Sequence, residues 1–245
     1  MEKVIVIDKT YESKYSFSLD SKADYGFTDL GISTTKKLPY WDLFRLNSIM
    51  EIYSKSNKII DFGGASRGLI NLGKSISATG KYFTCDINPN YKPDIVSDIC
   101  NLDQIDDNAF DGVICAAVLE HVYNPIKAIE ELKRIYKPGG QMFIYIPWMF
   151  NYHGNSKKSY NPISGEGKEY SDYFRFSKDS IFYWFKEFNE IQICPVRGRF
   201  ETIGNLTKIF GKRGLIGKRS YYKKIIRKID RNDLAITSGY QILIK

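Results

Sequence analysis

An acid and a glycine pair stand at the head of the segment Asp61-Phe62-Gly63-Gly64-Ala65-Ser66-Arg67-Gly68, and further acids follow at Asp86 and Asp98. Glycine lets the backbone turn tightly and pass close to a ligand, and a helix starting after such a turn offers its N-terminus to a carboxylate or phosphate. An acid ending the next strand can accept both hydroxyls of a ribose, so Asp86 with Gly63 and Gly64 points to a nucleoside-bearing ligand. A second set of residues, His153, Asp172 and Arg175, lies downstream in a stretch rich in Gly, Ser, Asn and Tyr. An imidazole with an ordinary pKa of ~6.5 suits proton removal near neutrality, which makes His153 the candidate base. Asp172 could orient that imidazole or be the base itself, and Arg175 could grip an anionic acceptor. The bland alternative is a loop anchored by His153 and pinned by an Asp172–Arg175 pair. His121, beside Glu120, reads as a structural residue or a pocket wall.

The elements that position these residues follow from the hydrophobic pattern. Residues 1–39 are polar and weakly periodic and read as an N-terminal arm, while residues 40–53 place Leu43, Leu46, Ile49, Met50 and Tyr53 at helical spacing. From residue 58 short apolar runs alternate with helical stretches, the pattern of βαβ units and a parallel sheet. Strands are predicted at 58–62, 82–87, 94–98, 110–118 and 141–147, then at 190–196 and 239–245. A helix with Leu69, Leu72 and Ile76 on one face is predicted after the first of them. Asn124-Pro125 opens another with Ile126, Ile129, Leu132 and Ile135 as its inner stripe, and Ser177 caps a third. In an open sheet of this kind ligands bind at the carboxyl ends of the strands, where the order reverses, and that is where Asp61, Asp86, Asp98 and Ala116 fall.

Composition narrows the class. Hydrophobic residues make up 43% and charged residues 26% of the 245, and no apolar run approaches the ~20 residues of a membrane span, so integral membrane, collagen-like and disordered classes are excluded. Val4–Ile7 is too short for a secretory core, so the cytoplasm is the expected location. Cys85, Cys100, Cys115 and Cys194 show no CxxC spacing and read as reduced core residues. With only two histidines, an imidazole metal site could have at most two such ligands, and no metal site is expected. The net charge of +8 is uneven, since residues 207–231 hold ten Lys or Arg against one acid and the remainder is near neutral. That basic stretch ends in an amphipathic pattern which could lie on an anionic membrane, dock nucleic acid phosphates, or pack as an ordinary surface helix.

Two nucleoside cofactors are compatible with the glycine turn. A nicotinamide site wants G-x-G-x-x-G; Gly63 and Gly68 match its ends, but Ala65 takes the central glycine's place and Asp61 precedes the loop, which weakens the dinucleotide reading. DFGGASRG, CDIN, VSDIC, FDGVICAAVLEHV and KPGG, in that order over residues 58–147, resemble the class I S-adenosylmethionine-dependent methyltransferases, in particular those of methyltransferase type 11. The resemblance implies a Rossmann-like, doubly wound, mostly parallel α/β sheet of seven strands with an antiparallel C-terminal hairpin, forming one domain over 40–245 with a basic insertion at 207–231. It also implies that Asp61, Gly63 and Gly64 surround the methionine part of S-adenosyl-L-methionine, that Asp86 holds the ribose, that Ile87 lies against the adenine with Asp98 and Ile99 at its edge, and that Ala116 lines the pocket. IPWMFNYHG with DYFRFS resembles a subgroup linked with bacterial surface polysaccharide synthesis, which implies O-methylation of a small-molecule or lipid-linked saccharide. A lipid-linked acceptor would suit peripheral contact of 207–231 with the inner face of the membrane. RNA methylation through the basic segment, unsupported by any nucleic-acid motif, and cofactor binding without turnover are the alternative readings.

Overall fold

In the computed structural model the described residues are 3–12, 39–64, 81–154, 170–207, 229–230 and 233–245. The strands are β1 (Lys3–Val6), β2 (Lys58–Phe62), β3 (Lys81–Asp86), β4 (Ile95–Val96), β5 (Phe110–Ala116), β6 (Tyr136–Pro147), β7 (Glu190–Pro195) and β8 (Gly239–Ile244). They form one eight-stranded sheet in the order β4-β3-β2-β5-β6-β8-β7-β1. All pairings are parallel except those of β8, which runs antiparallel between β6 and β7. The doubly wound sheet and the antiparallel hairpin expected from sequence are present, with one strand more than the seven implied. The extra strand comes from the residues read as an arm, since Lys3–Val6 pairs in register with Glu190–Ile193 at the sheet edge.

Alternation along the strands sends side chains to two cores. On one face Ile60, Phe62, Val113, Cys115, Met142 and Ile144 pack beneath helix α2 (Pro125–Ile135) and helix α3 (Lys178–Trp184). On the other face Ile59, Ile114, Phe143 and Leu243 meet helix α1 (Tyr40–Lys55) through Phe44, Ile49, Ile52 and Tyr53. α1 therefore buries a face rotated slightly from the predicted one, with Phe44 and Ile52 fully enclosed. α2 begins as expected, its cap Asn124 accepting a hydrogen bond from the Lys127 backbone N–H with Pro125 in the first turn. Its stripe runs through Ala128, Ile129, Leu132 and Ile135, while Ile126 faces solvent.

A fourth helix, α4 (Arg199–Leu206), carries no local capping signal because its cap comes from elsewhere in the chain. The Asp230 carboxylate accepts hydrogen bonds from the backbone N–H groups of Phe200 and Glu201, each at 2.9 Å. The four cysteines are free and buried, as expected. No described helix is long and apolar enough to cross a membrane. The predicted helix at Leu69–Ile76, the loop residues Ala65 and Arg67, and all of the basic segment except Thr207, Ile229 and Asp230 lie outside the described residues.

Candidate active site

The strand order reverses between β2 and β5, and the cavity sits at the carboxyl ends of those strands and of β3 and β4. It has a volume of about 280 Å³, and its walls include Gly63, Asp86, Ile87, Asp98, Ile99 and Ala116, six of the eight residues expected to hold a cofactor. Gly63 has φ +66°, a left-handed conformation that only glycine adopts without cost, and its N–H donates to the Cys85 carbonyl at 2.8 Å. Asp61 and Gly64 stand behind this wall. Asp61 is fully buried and accepts from the Tyr82 hydroxyl at 2.7 Å. A Cβ on Gly64 would lie 2.6 Å from the Asp61 carboxyl carbon, so the missing side chain is what lets the turn cross over that carboxylate.

Asp86 closes β3, with Oδ1 accepting from the Asn88 N–H at 2.9 Å, and Asp98 similarly receives the Cys100 N–H at 2.9 Å. Each carboxylate is thereby oriented at the cavity wall by the backbone that follows it. Ala117, next to Ala116, has φ +55°, an uncommon conformation for a residue with a side chain, and it too lines the cavity. Acids at two strand ends, apolar walls from Ile87 and Ile99, and a backbone brought close at Gly63 fit a ligand with a ribose and a flat heterocycle. The donor set thus suits S-adenosylmethionine.

The other side of the cavity is assembled from three separated segments. His121 ends a short 3-10 turn, Leu119–His121, and lines the cavity. The Glu120 carbonyl accepts from the N–H groups of Tyr173 and Phe174, at 2.8 and 3.2 Å, which ties the 170s segment to this turn. His121 Nδ1 lies 2.5 Å from the Ser171 carbonyl oxygen, and the ring meets those of His153 and Tyr170 with centroids 4.9 and 4.1 Å away. His153 sits behind His121. Its backbone N–H donates to Asp172 at 2.9 Å, and its Nδ1 lies 3.2 Å from both the Asn151 carbonyl and Asp172 Oδ2.

Asp172 and Arg175 act first on the loop. Arg175 holds both oxygens of the buried Asp172 carboxylate, and also donates to the carbonyls of Phe150 and Asn151 at 3.2 and 3.0 Å. Burial alone would raise the Asp172 pKa, but the Arg175 guanidinium and the His153 N–H outweigh it and hold the carboxyl at about 2. Of the residues singled out for chemistry, His153, Asp172 and Arg175 are thus brought together as one group, and none of the three lines the cavity. Glu120 and His121 do the joining. The Glu120 side chain is 1% exposed, and its Oε1 lies 3.7 Å from Nε2 of both histidines. Desolvation lowers the His121 pKa, whereas Glu120 raises that of His153.

Tyr170 is not read from sequence as a site residue, and Ala117 and Glu120 enter that reading only within the strand-end stretch 116–121, with no role of their own. For Glu120 the available signal was its place beside His121 directly after β5, at the sheet's switch point. Where no metal site was expected, Glu120, His121 and His153 present ligand atoms within 4.8 Å of one another.

Residues 72–144 match the family model described as a methyltransferase domain. The thiol S-methyltransferase TMT1B of Rattus norvegicus is 28% identical over 114 residues, covering 36% of this chain and 47% of that protein. The chain thus spans about half the length of the curated relative it matches. Among solved structures, an S-adenosylmethionine-dependent methyltransferase from Archaeoglobus fulgidus superposes with a TM-score of 0.51 at 18% identity, covering 82% of this chain and 91% of the other. A second, from Aquifex aeolicus, gives a TM-score of 0.39 at 18% identity over 57% of this chain and 76% of the other. Residues 72–144 thus match a methyltransferase domain, within a sheet whose strand order and antiparallel strand give the class I S-adenosylmethionine-dependent methyltransferase fold.

Proposed function

We propose that this chain transfers a methyl group from S-adenosylmethionine to a hydroxyl of a saccharide or sugar-linked acceptor. The observation that carries the methyl-transfer part is Asp86 at the end of β3, in the wall of a cavity whose backbone is brought close at Gly63. The acceptor part rests on the residues around the His121 side of that cavity. Tyr123, Tyr152, Tyr170 and Tyr173 are each at least half exposed, and Tyr123 and Tyr170 line the cavity itself. Solvent-facing tyrosines offer an apolar ring face and a hydroxyl together, a combination that suits the C–H faces and hydroxyls of a sugar ring.

S-adenosylmethionine supplies an electrophilic methyl carbon on a sulfonium. When bound it would offer that carbon to in-line attack by the acceptor oxygen, the carbon–oxygen bond forming as the carbon–sulfur bond breaks and the electron pair leaves with sulfur. The protein's part in such a displacement is to align the two partners and exclude water. A hydroxyl acceptor must also lose its proton, and we assign that role to the Glu120–His121–His153 group, of which His121 lines the cavity, with Asp172 and Arg175 holding His153 in position. A second reading, a thiol acceptor, is favoured by the similarity to the rat thiol S-methyltransferase. A thiol ionises more readily than an alcohol and would ask less of this group.

Calorimetric titration of S-adenosylmethionine into the wild type and Asp86→Ala, followed by transfer of a radiolabelled methyl group to sugar nucleotides, lipid-linked saccharides and small thiols, tests the proposal. Donor binding that is lost in the variant, with label on a saccharide hydroxyl, is the expected result. Label on thiols alone replaces the acceptor class, and absence of donor binding by the folded wild type overturns methyl transfer itself.

A further inference from the structure

The two histidines of the chain have their Nδ1 atoms occupied by oxygen acceptors. His121 Nδ1 faces the Ser171 carbonyl at 2.5 Å, and His153 Nδ1 faces the Asn151 carbonyl and the Asp172 carboxylate at 3.2 Å each. A carbonyl or carboxylate oxygen only accepts, so each ring donates from Nδ1, and in the neutral imidazole the lone pair is then on Nε2. Both Nε2 atoms point at the same oxygen, Glu120 Oε1, at 3.7 Å. The second Glu120 oxygen, Oε2, is buried and finds no hydrogen-bond donor among the described residues. With both rings neutral, two nitrogen lone pairs and a buried carboxylate converge, an arrangement that costs energy unless a positive charge, a proton on His153 or a metal cation, sits between them.

We propose that Glu120, His121 and His153 form a binding site for one divalent transition-metal cation of the zinc type at the edge of the cavity, ligated by the two Nε2 atoms and the Glu120 carboxylate. Zinc–nitrogen and zinc–oxygen bonds of 2.0–2.2 Å in a tetrahedron place neighbouring ligand atoms about 3.4 Å apart, so the two nitrogen–oxygen edges at 3.7 Å need a few tenths of an ångström of closure, while the ligand atoms as a set lie within 4.8 Å of one another. Oxygen acceptors on the far nitrogens are the usual outer partners of metal-bound histidines, since they fix the tautomer and the ring plane. Two imidazoles and one carboxylate leave at least one coordination position for a further ligand, and such a set favours zinc, cobalt or iron over magnesium or calcium. In catalysis, a use that rests on the methyl-transfer reading above, the cation would take the acceptor's hydroxyl oxygen in the open position. It would lower that oxygen's pKa so that the proton passes to water before the oxygen attacks the methyl carbon.

The test is a cobalt titration of tag-free, chelator-stripped protein, read by the visible ligand-field bands, followed by displacement with zinc chloride. One equivalent of cobalt is expected, with zinc competing for the same site. Because the chain holds two histidines in all, bands from imidazole ligation can arise only from these residues. Glu120→Gln and His153→Gln should each weaken cobalt binding by more than about 100-fold, beyond the range seen when only an outer partner of a metal ligand is changed. If Glu120→Gln fails to fold, His153→Gln decides, since that ring is 30% exposed and its loss leaves the core intact. A folded wild type without bands, or binding untouched by the folded variants, overturns the site. Calorimetry with S-adenosylmethionine on the same stripped protein separates the two proposals: donor binding without cobalt bands removes the metal site and leaves methyl transfer standing, and the reverse result does the opposite.

Discussion

The two sides of the cavity are built in different ways. On the β2–β4 side three wall residues are fixed by backbone bonds close to strand ends: Asp86 by the Asn88 N–H two residues on, Asp98 by the Cys100 N–H two residues on, and Gly63 by a turn bonded to the adjacent strand. On the His121 side the wall depends on long-range links, with Glu120 carbonyl bonds reaching Tyr173 and Phe174 and with Asp172 joining His153 to Arg175. Local fixation makes the first side a rigid, contiguous motif, whereas the second can vary in sequence and spacing while keeping the sheet. The difference fits a division of labour in which one side holds a constant donor and the other adapts to an acceptor.

That division can be broken from either side. The largest effect is expected from Gly64→Ala, whose Cβ would enter the space of the Asp61 carboxylate at 2.6 Å. A loss of about 3 kcal/mol in urea unfolding is expected from such overpacking, together with loss of donor binding; wild-type stability in this variant would mean that the turn over Asp61 is not tight. Asp86→Ala should leave unfolding unchanged and weaken S-adenosylmethionine by about 100-fold, the effect of losing hydrogen bonds to a charged group; an unchanged Kd would remove Asp86 from the ribose. Asp172→Asn, by loosening Arg175 and the His153 N–H, should cost about 2 kcal/mol of stability while donor affinity survives. A parallel fall in donor affinity would show that the two sides are coupled.

The smallest effect is a control away from both sides. Glu51 is buried between Lys55, Gln141 and Lys245; burial pushes its pKa up, but these donors outweigh it and hold the carboxyl at about 2 rather than 4.5. A depressed folded-state pKa stabilises the fold above pH 4.5, and the contribution is lost as pH falls from there toward 2. Glu51→Gln should therefore cost about 1 kcal/mol at pH 7, with the gap from wild type closing in acid; chemical denaturation at pH 7 and pH 3 measures it.

What the sequence disclosed follows the same line. The strands that make the two-sided core, the glycine turn and the acids at strand ends were legible because each is one contiguous run whose period or residue types carry the meaning. β1 was hidden because an edge strand needs only backbone pairing, and its outward residues Val4 and Val6 stay exposed. α4 was hidden because its cap is 30 residues away at Asp230. His153 and Asp172 were legible as residue types worth inspecting, but their displacement behind His121, and the part of Glu120, depend on a fold that joins residues 120, 153 and 172.

The Asp230 cap has one more consequence. Asp230 is bound to the first turn of α4, and Thr207 follows the last, so the two ends of the lysine- and arginine-rich segment are pinned at opposite ends of one eight-residue helix. That helix is only about 12 Å long. The carboxylate that starts α4 therefore also fixes where the chain returns toward β8, so removing it would loosen the helix start and the approach to the hairpin together.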